Sequence, residues 1–419
     1  MTTKKHLIVG SGAAGLAALR EIRSISDEDE IKVVSMEDCL PYSPTTLPYL
    51  LSGKIEESKL WIVDEEYFKK MRCQLALGKR VVEVAPEQKE VIYEGGERER
   101  YDTLLIATGS EPIVPLIEGM EEVGFFGFHT LQDYQELTRR LERGYVALIY
   151  GGGLVAMGLA SGLIKRGCKV KMVVRSRILR LYFDTDAGAL IARVFLAQGA
   201  EIISGREIKR VGKRGDKIEA VLTDGSSLSG DIFISCLGTT PRVSFLQGSG
   251  IEVNSGIVVD DSLRTNKEDV YAAGDVAEAK DFFTGQRGLN AILPSAVEQG
   301  KIAGANMAGE RHEYEGWISM NVFHFFGSGA CSIGLTGADE GMEVLKEEDK
   351  DEGRFKKLSF QDGRLVGAEF VNVDVDPGVI LYLIKNRLKI GKHKELLLQK
   401  PVEVSRWLMV RNEREGDGL

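Results

Sequence analysis

The sequence lacks several features that mark other classes of protein. No apolar run reaches the length of about 18 residues that a membrane-spanning helix needs. Lys and Arg residues form no long block and the net charge is −9, so we do not expect a nucleic-acid partner. The N-terminal residues run directly into a glycine turn, which indicates a first β-strand and not a signal peptide.

The five cysteines show no CxxC or similar spacing. An odd number without pairing motifs is typical of a reducing cytoplasm and argues against structural disulfides and zinc sites. We therefore predict a cytoplasmic protein with no metal site, in which the cysteines are buried and inert. They are Cys39, Cys73, Cys168, Cys236 and Cys331.

Proline is scarce, at 10 residues, whereas glycine is abundant, at 48 of 419 residues. This composition is typical of a folded α/β enzyme with many tight turns and not of a disordered chain. The length of the chain suggests two or three domains with a sizeable core.

A glycine turn near the N-terminus joins an apolar strand to a segment with helical periodicity. Gly10, Gly12 and Gly15 have the spacing GxGxxG. The first glycine allows a tight turn, the second lets the backbone approach a diphosphate, and the third lets helix and strand pack closely. The helix N-terminus, at Ala13 and Ala14, is then expected to face the phosphate charge.

An acidic side chain is expected about 20 residues after such a turn, where it hydrogen-bonds the ribose of a dinucleotide. A second strand is predicted over residues 31–35, and Ser35 ends it. Glu37 follows two residues later and is our candidate for the ribose contact.

The same pattern recurs about 140 residues later, between predicted strands at 145–150 and 169–174. In this second glycine turn an alanine replaces the third glycine, which is a small change at a close-packed position. Two turns indicate two dinucleotides, and the simplest pair is a flavin nucleotide and a nicotinamide nucleotide. The residues expected to bind the second one are Gly151, Gly153, Leu154, Val155 and Ala156.

No acid follows the second of these strands; Arg175, Arg177 and Arg180 are there instead. A carboxylate repels a 2′-phosphate, whereas arginines bind one. Arg175 and Arg180 are therefore predicted coenzyme contacts, and NADPH is favoured over NADH. The alternative is a solvated basic edge without a ligand.

Four further segments, with the two glycine turns, resemble the pyridine nucleotide–disulfide oxidoreductase superfamily, the flavoproteins with two dinucleotide-binding domains. The segments are 101–112, 231–242, 265–278 and 293–309. The resemblance implies FAD and NAD(P)H as cofactors. It also implies an α/β fold with two Rossmann-like three-layer dinucleotide-binding domains and a C-terminal α+β interface domain. The implied limits are 1–112 with 240–314 for FAD, 113–239 for NAD(P), and 315–419 for the interface domain.

The resemblance assigns further cofactor contacts. They are Pro44, Thr45, Val81, Ala107, Thr108, Gly109, Gly238, Gly274, Asp275, Ser295 and Ala296. Among these, Asp275 follows an apolar strand, where a carboxylate can accept hydrogen bonds from ribityl hydroxyls; the alternative is a helix N-cap. A helix that begins near Pro294 would direct its positive end at the flavin's pyrimidine carbonyl.

The sequence departs from the superfamily in the segment 41–50, PYSPTTLPYL. Thr45 occupies the position of the redox cysteine in single-cysteine members, and a threonine hydroxyl cannot act as a thiolate donor. Tyr49 is aligned with a lysine of the rubredoxin and ferredoxin reductases, and Gly158 with a glutamate that many relatives place beside the nicotinamide. We predict no catalytic side chain.

The C-terminal third has a different pattern. Alternating apolar and polar residues around Asp362 and Gly363 predict a hairpin, and residues 377–390 predict an amphipathic helix. The run 346–357 is expected to form a solvated hairpin or loop. The apolar segment that follows residue 393 is expected to dock either on a partner subunit or on its own chain.

Three functions remain open. The first is a reductase that moves electrons between NAD(P)H and an external iron–sulfur carrier, or an iron–sulfur subunit of a larger complex such as a tungsten-containing aldehyde oxidoreductase. The second is an NAD(P)H oxidase that reduces oxygen at the flavin, and the third is a non-catalytic redox sensor. The absence of internal cysteine motifs favours the first. We also expect a homo-oligomer or a subunit of a redox complex.

Overall fold

A computed structural model describes residues 3–337 and 341–416. The chain divides into two compact units. The first unit comprises Met1–Ser43, Glu57–Glu111 and Thr239–Ile318, and the second unit comprises Pro44–Glu56, Pro112–Gly238 and Ser319–Leu419. The three-domain limits stay a prediction, and residues 1–2, 338–340 and 417–419 of those domains lie outside the described residues.

The elements are numbered in chain order. The strands are β1 (Lys5–Val9), β2 (Glu30–Val34), β3 (Cys73–Ala76), β4 (Val81–Ala85), β5 (Glu90–Tyr93), β6 (Arg98–Arg100), β7 (Thr103–Ile106), β8 (Ser110–Pro112), β9 (Val146–Tyr150), β10 (Lys169–Val174), β11 (Glu201–Ser204), β12 (Ile208–Arg214), β13 (Lys217–Leu222), β14 (Ser227–Gly230), β15 (Ile232–Ser235), β16 (Thr239–Pro241), β17 (Ile257–Val258), β18 (Val270–Ala272), β19 (Ala277–Lys280), β20 (Arg287–Gly288), β21 (Met320–Phe325), β22 (Ser328–Gly334), β23 (Glu343–Asp349), β24 (Arg354–Gln361) and β25 (Arg364–Val371). The α-helices are α1 (Ala13–Ile25), α2 (Leu47–Leu51), α3 (Glu65–Lys70), α4 (Met120–Val123), α5 (Leu131–Arg140), α6 (Leu154–Lys165), α7 (Thr185–Ala197), α8 (Leu293–Met307), α9 (Pro377–Lys385), α10 (Lys394–Gln399) and α11 (Pro401–Gly416).

A parallel sheet forms the centre of the first unit, in the order β18-β7-β1-β2-β3. Its central strand β1 is apolar over residues 7–9 because a parallel strand is covered on both faces. One hydrophobic core joins this sheet to helices α1 and α8 and to the antiparallel strands β4 and β5. The sheet edge at the carboxyl ends of these strands is where ligands bind in open α/β sheets.

Helices α1 and α8 approach each other closely enough to require glycine. A Cβ on Gly300 would lie 2.2 Å from the carbonyl oxygen of Ala14, and a Cβ on Gly304 would lie 2.7 Å from that of Ala18. Small residues on both helices therefore let the two backbones touch. This contact fixes the start of α8 relative to the start of α1.

The second unit contains a second parallel sheet, in the order β11-β10-β9-β15. Strands β9 and β10 end at Tyr150 and Val174, as the sequence predicts. A small antiparallel sheet, β12-β13-β14, follows β11 in the chain and shares a hydrophobic core with β9, β10 and β15.

An antiparallel sheet forms the C-terminal part of the second unit, in the order β21-β22-β25-β24-β23. The predicted hairpin is present between β24 and β25. Asp362 and Gly363 form its turn with φ values of 51° and 75°, which is the conformation that an Asp-Gly turn adopts. The run 346–357 also forms a hairpin, but Lys357 at its end is buried and not solvated.

The predicted helix over 377–390 is shorter in the structure and ends at Lys385. Arg387 adopts the left-handed conformation, with φ of 51°, which ends the helical path. Ile390 returns to the core and donates its backbone N–H to the carbonyl of Gly363 at 3.0 Å.

The terminal apolar segment packs mainly on its own chain. Leu397, Leu398 and Leu408 are buried in α10 and α11, whereas Trp407 and Val410 remain 47% and 40% exposed. The described residues contain no helix that is both long enough and apolar enough to cross a membrane.

We expect Gly300→Ala to lower the free energy of unfolding by about 2 kcal/mol, because its methyl group would overlap a backbone carbonyl that cannot move alone. Guanidinium unfolding followed by circular dichroism measures this change. Gly378→Ala in α9 is the matched control, since its Cβ would meet nothing closer than 3.6 Å. Equal unfolding midpoints for the two variants would contradict the proposed helix contact.

Candidate functional site

The first glycine turn follows β1 and can be built only with glycine at two positions. Gly10 has φ of +117°, and a Cβ there would lie 2.0 Å from the carbonyl oxygen of Ala107. A Cβ on Gly15 would lie 2.0 Å from the carbonyl oxygen of Gly10. The start of α1 is therefore pressed against the ends of β1 and β7.

Gly12 has the opposite surroundings, because a Cβ there would meet nothing within 4 Å. It is the N-cap of α1, and no side chain caps the helix. Ala13 and Ala14 begin the helix, so their backbone N–H groups belong to the end that carries positive dipole charge. An open cradle lined by such N–H groups fits a diphosphate.

The loop after β7 lies against this turn. Gly109 has φ of +66° and accepts a hydrogen bond from the backbone N–H of Arg242 at 3.0 Å. Thr108 donates its hydroxyl to the carbonyl of Arg242 at 3.1 Å, and Ala107 is buried. The Arg242 side chain donates to the carbonyl of Ser110 at 3.0 Å. These contacts fix the loop to Arg242, and the Ala107 carbonyl lies beside Gly10.

Gly274 and Asp275 follow β18 at the same sheet edge. The Gly274 N–H donates to the side-chain oxygen of Gln299 at 2.8 Å, and the Ser110 hydroxyl donates to Asp275 Oδ2 at 3.0 Å. The element after Asp275 is the strand β19, so the alternative that Asp275 caps a helix is wrong. The Asp275 carboxylate is half-buried and accepts this hydrogen bond at the sheet edge that also holds the glycine turn.

Helix α8 begins at Leu293 and has no side-chain cap. Ser295 and Ala296 lie in its first turn and are buried; the Ser295 hydroxyl donates to Asn290 Oδ1 at 3.0 Å. Because α8 contacts α1 backbone to backbone, its N-terminus is fixed within the first unit.

Two other predicted contacts, Glu37 and Val81, also belong to the first unit. Glu37, three residues after β2, is half-buried, and its Oε2 accepts a hydrogen bond from the Tyr42 hydroxyl at 2.7 Å. Val81 begins β4 and is buried in the hydrophobic core.

The second glycine turn, after β9, repeats the first. Gly151 has φ of +130°, and a Cβ there would lie 2.1 Å from the carbonyl oxygen of Cys236. Gly153 is the N-cap of α6 without a side-chain cap, and the nearest atom to its Cβ position is on Tyr182 at 4.0 Å. The close contact and the open N-cap therefore occur in the same order as in the first turn.

Helix α6 carries the remaining predicted residues of the second turn. Leu154 and Val155 are its first two residues, and Val155 is 47% exposed, whereas Ala156 is fully buried. Gly238 follows β15 with φ of +107° and accepts a hydrogen bond from the N–H of Ile113 at 3.0 Å.

The three arginines after β10 do not form one cluster of equivalent groups. Arg177 donates to the carbonyl of Phe183 at 2.7 Å and holds the loop before α7. Arg175 is exposed, and its Nε lies 3.9 Å from Glu207 Oε1. Arg180 is exposed. Arg175 and Arg180 thus remain accessible, and Arg177 has a structural role.

The segment with the unusual threonines belongs to the second unit. Pro44 and Thr45 are exposed in a 3-10 helix, and α2 follows directly. Helix α2 packs on α6, where a Cβ on Gly158 would lie 3.0 Å from Pro48. A side chain at position 158 would therefore meet this proline.

The cysteine thiols are free and poorly suited to redox chemistry. Burial raises the pKa of Cys39 to about 11 and that of Cys73, Cys236 and Cys331 to about 12, and it also raises the pKa of Cys168. A thiol with a raised pKa is protonated at neutral pH and is a weak nucleophile. These surroundings support the prediction of inert thiols, but the prediction that all five are buried is wrong, because Cys39, Cys73 and Cys236 are only half-buried.

Sequence reasoning missed a buried charged cluster of Asp184, Lys357 and Glu369. Lys357 and Glu369 are 4% and 1% exposed, and Lys357 Nζ lies 2.9 Å from Glu369 Oε1 and 3.2 Å from Asp184 Oδ2. The Asp184 N–H donates to Glu369 Oε2 at 2.7 Å. The cluster ties β24 and β25 to the start of α7. An isolated glutamate within the apolar run 365–371 was the signal that could have revealed it.

Comparisons with known proteins agree with this geometry. The family described as "Pyridine nucleotide-disulphide oxidoreductase" matches residues 4–305, and "Rubredoxin NAD+ reductase C-terminal domain" matches residues 320–373. The chain is 35% identical over 414 residues to the NADH-dependent phenylglyoxylate dehydrogenase subunit epsilon of Aromatoleum evansii, with 98% of each chain covered.

Two further comparisons extend the picture. The chain is 29% identical over 396 residues to the NADH oxidase of Methanocaldococcus jannaschii, covering 88% of this chain and 87% of that one. A solved structure, the covalent putidaredoxin reductase–putidaredoxin complex, matches with a TM-score of 0.87 at 22% identity, covering 98% of this chain and 99% of that one. At that identity the structural match shows the fold alone, and it confirms the predicted fold class.

We expect the stability of the wild type to fall relative to Glu369→Gln as the pH rises. Burial raises the pKa of Glu369 from its ordinary 4.5 to about 7, so the folded protein holds a proton that the unfolded chain has released. The resulting stabilisation is present at low pH and is lost as the pH rises through about 7. Between about pH 5 and pH 8 the difference in unfolding free energy should change by about 1–3 kcal/mol.

Chemical unfolding at several pH values measures this difference. Glu347→Gln, which alters an exposed glutamate of the same sheet, is the control. A wild type and Glu369→Gln pair whose stabilities stay parallel over the whole range would contradict the assignment.

Proposed function

The chain belongs to the pyridine nucleotide-disulphide oxidoreductase family, whose members use FAD and NAD(P)H, and on that premise we propose that it moves electrons between NAD(P)H and an iron–sulfur protein or subunit outside this chain. The observation that carries the proposal is an arrangement that occurs twice in one chain. A glycine lies against the carbonyl at the end of a neighbouring strand, and two residues later a helix begins with an open N-cap. One such site fits one dinucleotide, so two sites fit a flavin and a nicotinamide coenzyme.

The first glycine turn is proposed to hold FAD. The N–H groups of Gly12, Ala13 and Ala14 fit its diphosphate, and Gly10 and Gly15 provide the close packing. Glu37 is proposed to accept from the adenosine ribose, and Asp275 from the ribityl hydroxyls. The contacts predicted for the other residues of this set stay predictions: Pro44, Thr45, Val81, Ala107, Thr108, Gly109, Gly274, Ser295 and Ala296.

The second glycine turn is proposed to hold the nicotinamide coenzyme. The N-terminus of α6, at Gly153, Leu154 and Val155, fits the diphosphate of this coenzyme. Gly151 and Ala156 provide the close approach of turn and helix. Gly238, Arg175 and Arg180 stay predicted contacts. Arg175 and Arg180 are the exposed ones among the three arginines that follow β10.

The side chains of this protein are proposed to bind and orient the cofactors and not to transfer protons. FAD, when bound, accepts an electron pair from nicotinamide and can release electrons singly, which a pair-only coenzyme cannot do. Burial raises the pKa of all five cysteines, which favours the protonated thiol at neutral pH. The absence of a thiol relay supports an acceptor outside the chain.

The partner is proposed by similarity. One relative is named as a subunit of an NADH-dependent dehydrogenase, and a structural neighbour was solved as a complex of putidaredoxin reductase with putidaredoxin. The match of residues 320–373 to the C-terminal domain of rubredoxin NAD+ reductase supports the same class of partner. A homo-oligomer or a subunit of a larger redox complex, and a cytoplasmic location, stay proposals.

A second candidate function is an NAD(P)H oxidase, because a relative carries the name NADH oxidase. Thr45 occupies the position of the cysteine that water-forming members of the superfamily use, so a thiol-dependent reduction of oxygen is not supported. Oxygen reduction would then end at peroxide.

We expect stopped-flow reduction of the flavin by NADH or NADPH to be rapid and its reoxidation by air to be slow. A rubredoxin or ferredoxin should accelerate reoxidation, since the proposed acceptor takes single electrons. Absorbance of the flavin follows both steps. Reoxidation by oxygen that is fast, and that an iron–sulfur protein does not accelerate, would favour the oxidase instead.

We expect Asp275→Ala to lose most of its FAD during purification, because charge-assisted hydrogen bonds to the ribityl chain would be lost. The ratio of flavin to protein absorbance after gel filtration measures this loss. Asp27→Ala is the matched control, since Asp27 lies in the same unit with its side chain 79% exposed. A full flavin content in purified Asp275→Ala would contradict the assigned role.

A further inference from the structure

The accessible arginine that directly follows β10 has an acidic neighbour that the sequence pattern does not reveal. Arg175 Nε lies 3.9 Å from Glu207 Oε1, and the two side chains are 68% and 47% exposed. Sequence reasoning found no acid after β10 because Glu207 comes 32 residues later, after the next strand. The site therefore contains the two kinds of group that bind NADPH and NADH, respectively.

The fold brings these two residues to the same edge of the sheet. Strands β10 and β11 are parallel neighbours, with Val174 opposite Ser204 at their carboxyl ends. The loops that follow are joined, since the N–H of Gly205 donates to the carbonyl of Ser176 at 3.1 Å. Strand β9 lies on the other side of β10 and leads into the second glycine turn. Arg175, Glu207 and the proposed diphosphate cradle thus share one edge.

Tyr150, the last residue of β9, lies within electrostatic range of both charged groups. Its pKa is raised, first by burial, with Glu207 raising it further and Arg175 lowering it. Both charged groups consequently act on the side chain that immediately precedes Gly151. The pair is located at the start of the turn and not on a remote surface.

We infer that Glu207 is a specificity-determining residue that favours NADH over NADPH at the second glycine turn. This inference rests on the proposed nicotinamide site. A carboxylate can accept a hydrogen bond from a ribose 2′-hydroxyl, whereas it repels the negative charge of a 2′-phosphate. Glu207 also lies 3.9 Å from Arg175 Nε and so offsets part of the positive charge that a 2′-phosphate would bind. The preference that the arginines alone predict is thereby reversed.

Asp224, an acid in a neighbouring turn, has its own partner. Asp224 Oδ2 lies 2.6 Å from the Nε of Arg206, and its Oδ1 accepts from the backbone N–H of Ser226 at 3.0 Å. Substitution of Asp224 therefore removes the same charge from a neighbouring turn without freeing Arg175. It is the matched control for Glu207.

The test uses FAD-loaded protein and two fragments of the coenzymes, ADP and 2′,5′-ADP, so that no turnover is needed. Isothermal titration gives both dissociation constants for the wild type, Glu207→Gln and Asp224→Asn at physiological ionic strength. We expect Glu207→Gln to strengthen binding of 2′,5′-ADP relative to ADP by about three- to tenfold. Asp224→Asn should leave this ratio within about twofold of the wild type.

The outcomes separate the inference from the function on which it rests. If the ratio of the two dissociation constants is unchanged in Glu207→Gln, or changes equally in the control, the role of Glu207 is overturned. Binding of both fragments would still support the nicotinamide site. A wild type that binds neither fragment overturns the nicotinamide site and the inference together.

Discussion

The structure depends on one steric constraint, which is the contact between a glycine after a parallel strand and the carbonyl at the end of a neighbouring strand. A Cβ on Gly10 in the first turn would lie 2.0 Å from the carbonyl oxygen of Ala107. A Cβ on Gly151 in the second turn would lie 2.1 Å from that of Cys236. A side chain at either position would move the turn away from the sheet. Because glycine allows the contact, each helix begins at the sheet edge with its N–H groups towards open space.

The same steric constraint occurs in two different chemical surroundings. Around the first turn lie an acceptor carboxylate, Asp275, and the uncapped start of α8, which the contact of Gly300 with α1 holds in place. Around the second lie a cation and an acid, Arg175 and Glu207, which suit the ribose end of a nicotinamide coenzyme. We therefore propose that the protein contributes position and charge and that the redox chemistry belongs to the cofactors.

Much of the fold was readable from the sequence because its signals are local. Glycine spacing and apolar runs located both turns, and Asp362–Gly363 located a hairpin. The helix end at Lys385 was not readable, since it depends on the left-handed Arg387. Contacts between distant segments were also missed, because tertiary packing sets them and no local pattern does. They are Glu207 with Arg175, Glu369 with Lys357, and Pro48 with Gly158.

The central claim is that reducing equivalents pass from nicotinamide through bound flavin to an acceptor outside the chain, without a thiol relay. An anaerobic titration of FAD-loaded protein with NADH, combined with a thiol count in denaturant before and after, tests it most directly. The account predicts uptake of about two electrons per FAD, with all five cysteines counted as free thiols both times. Uptake of further electrons together with newly formed thiols would contradict it.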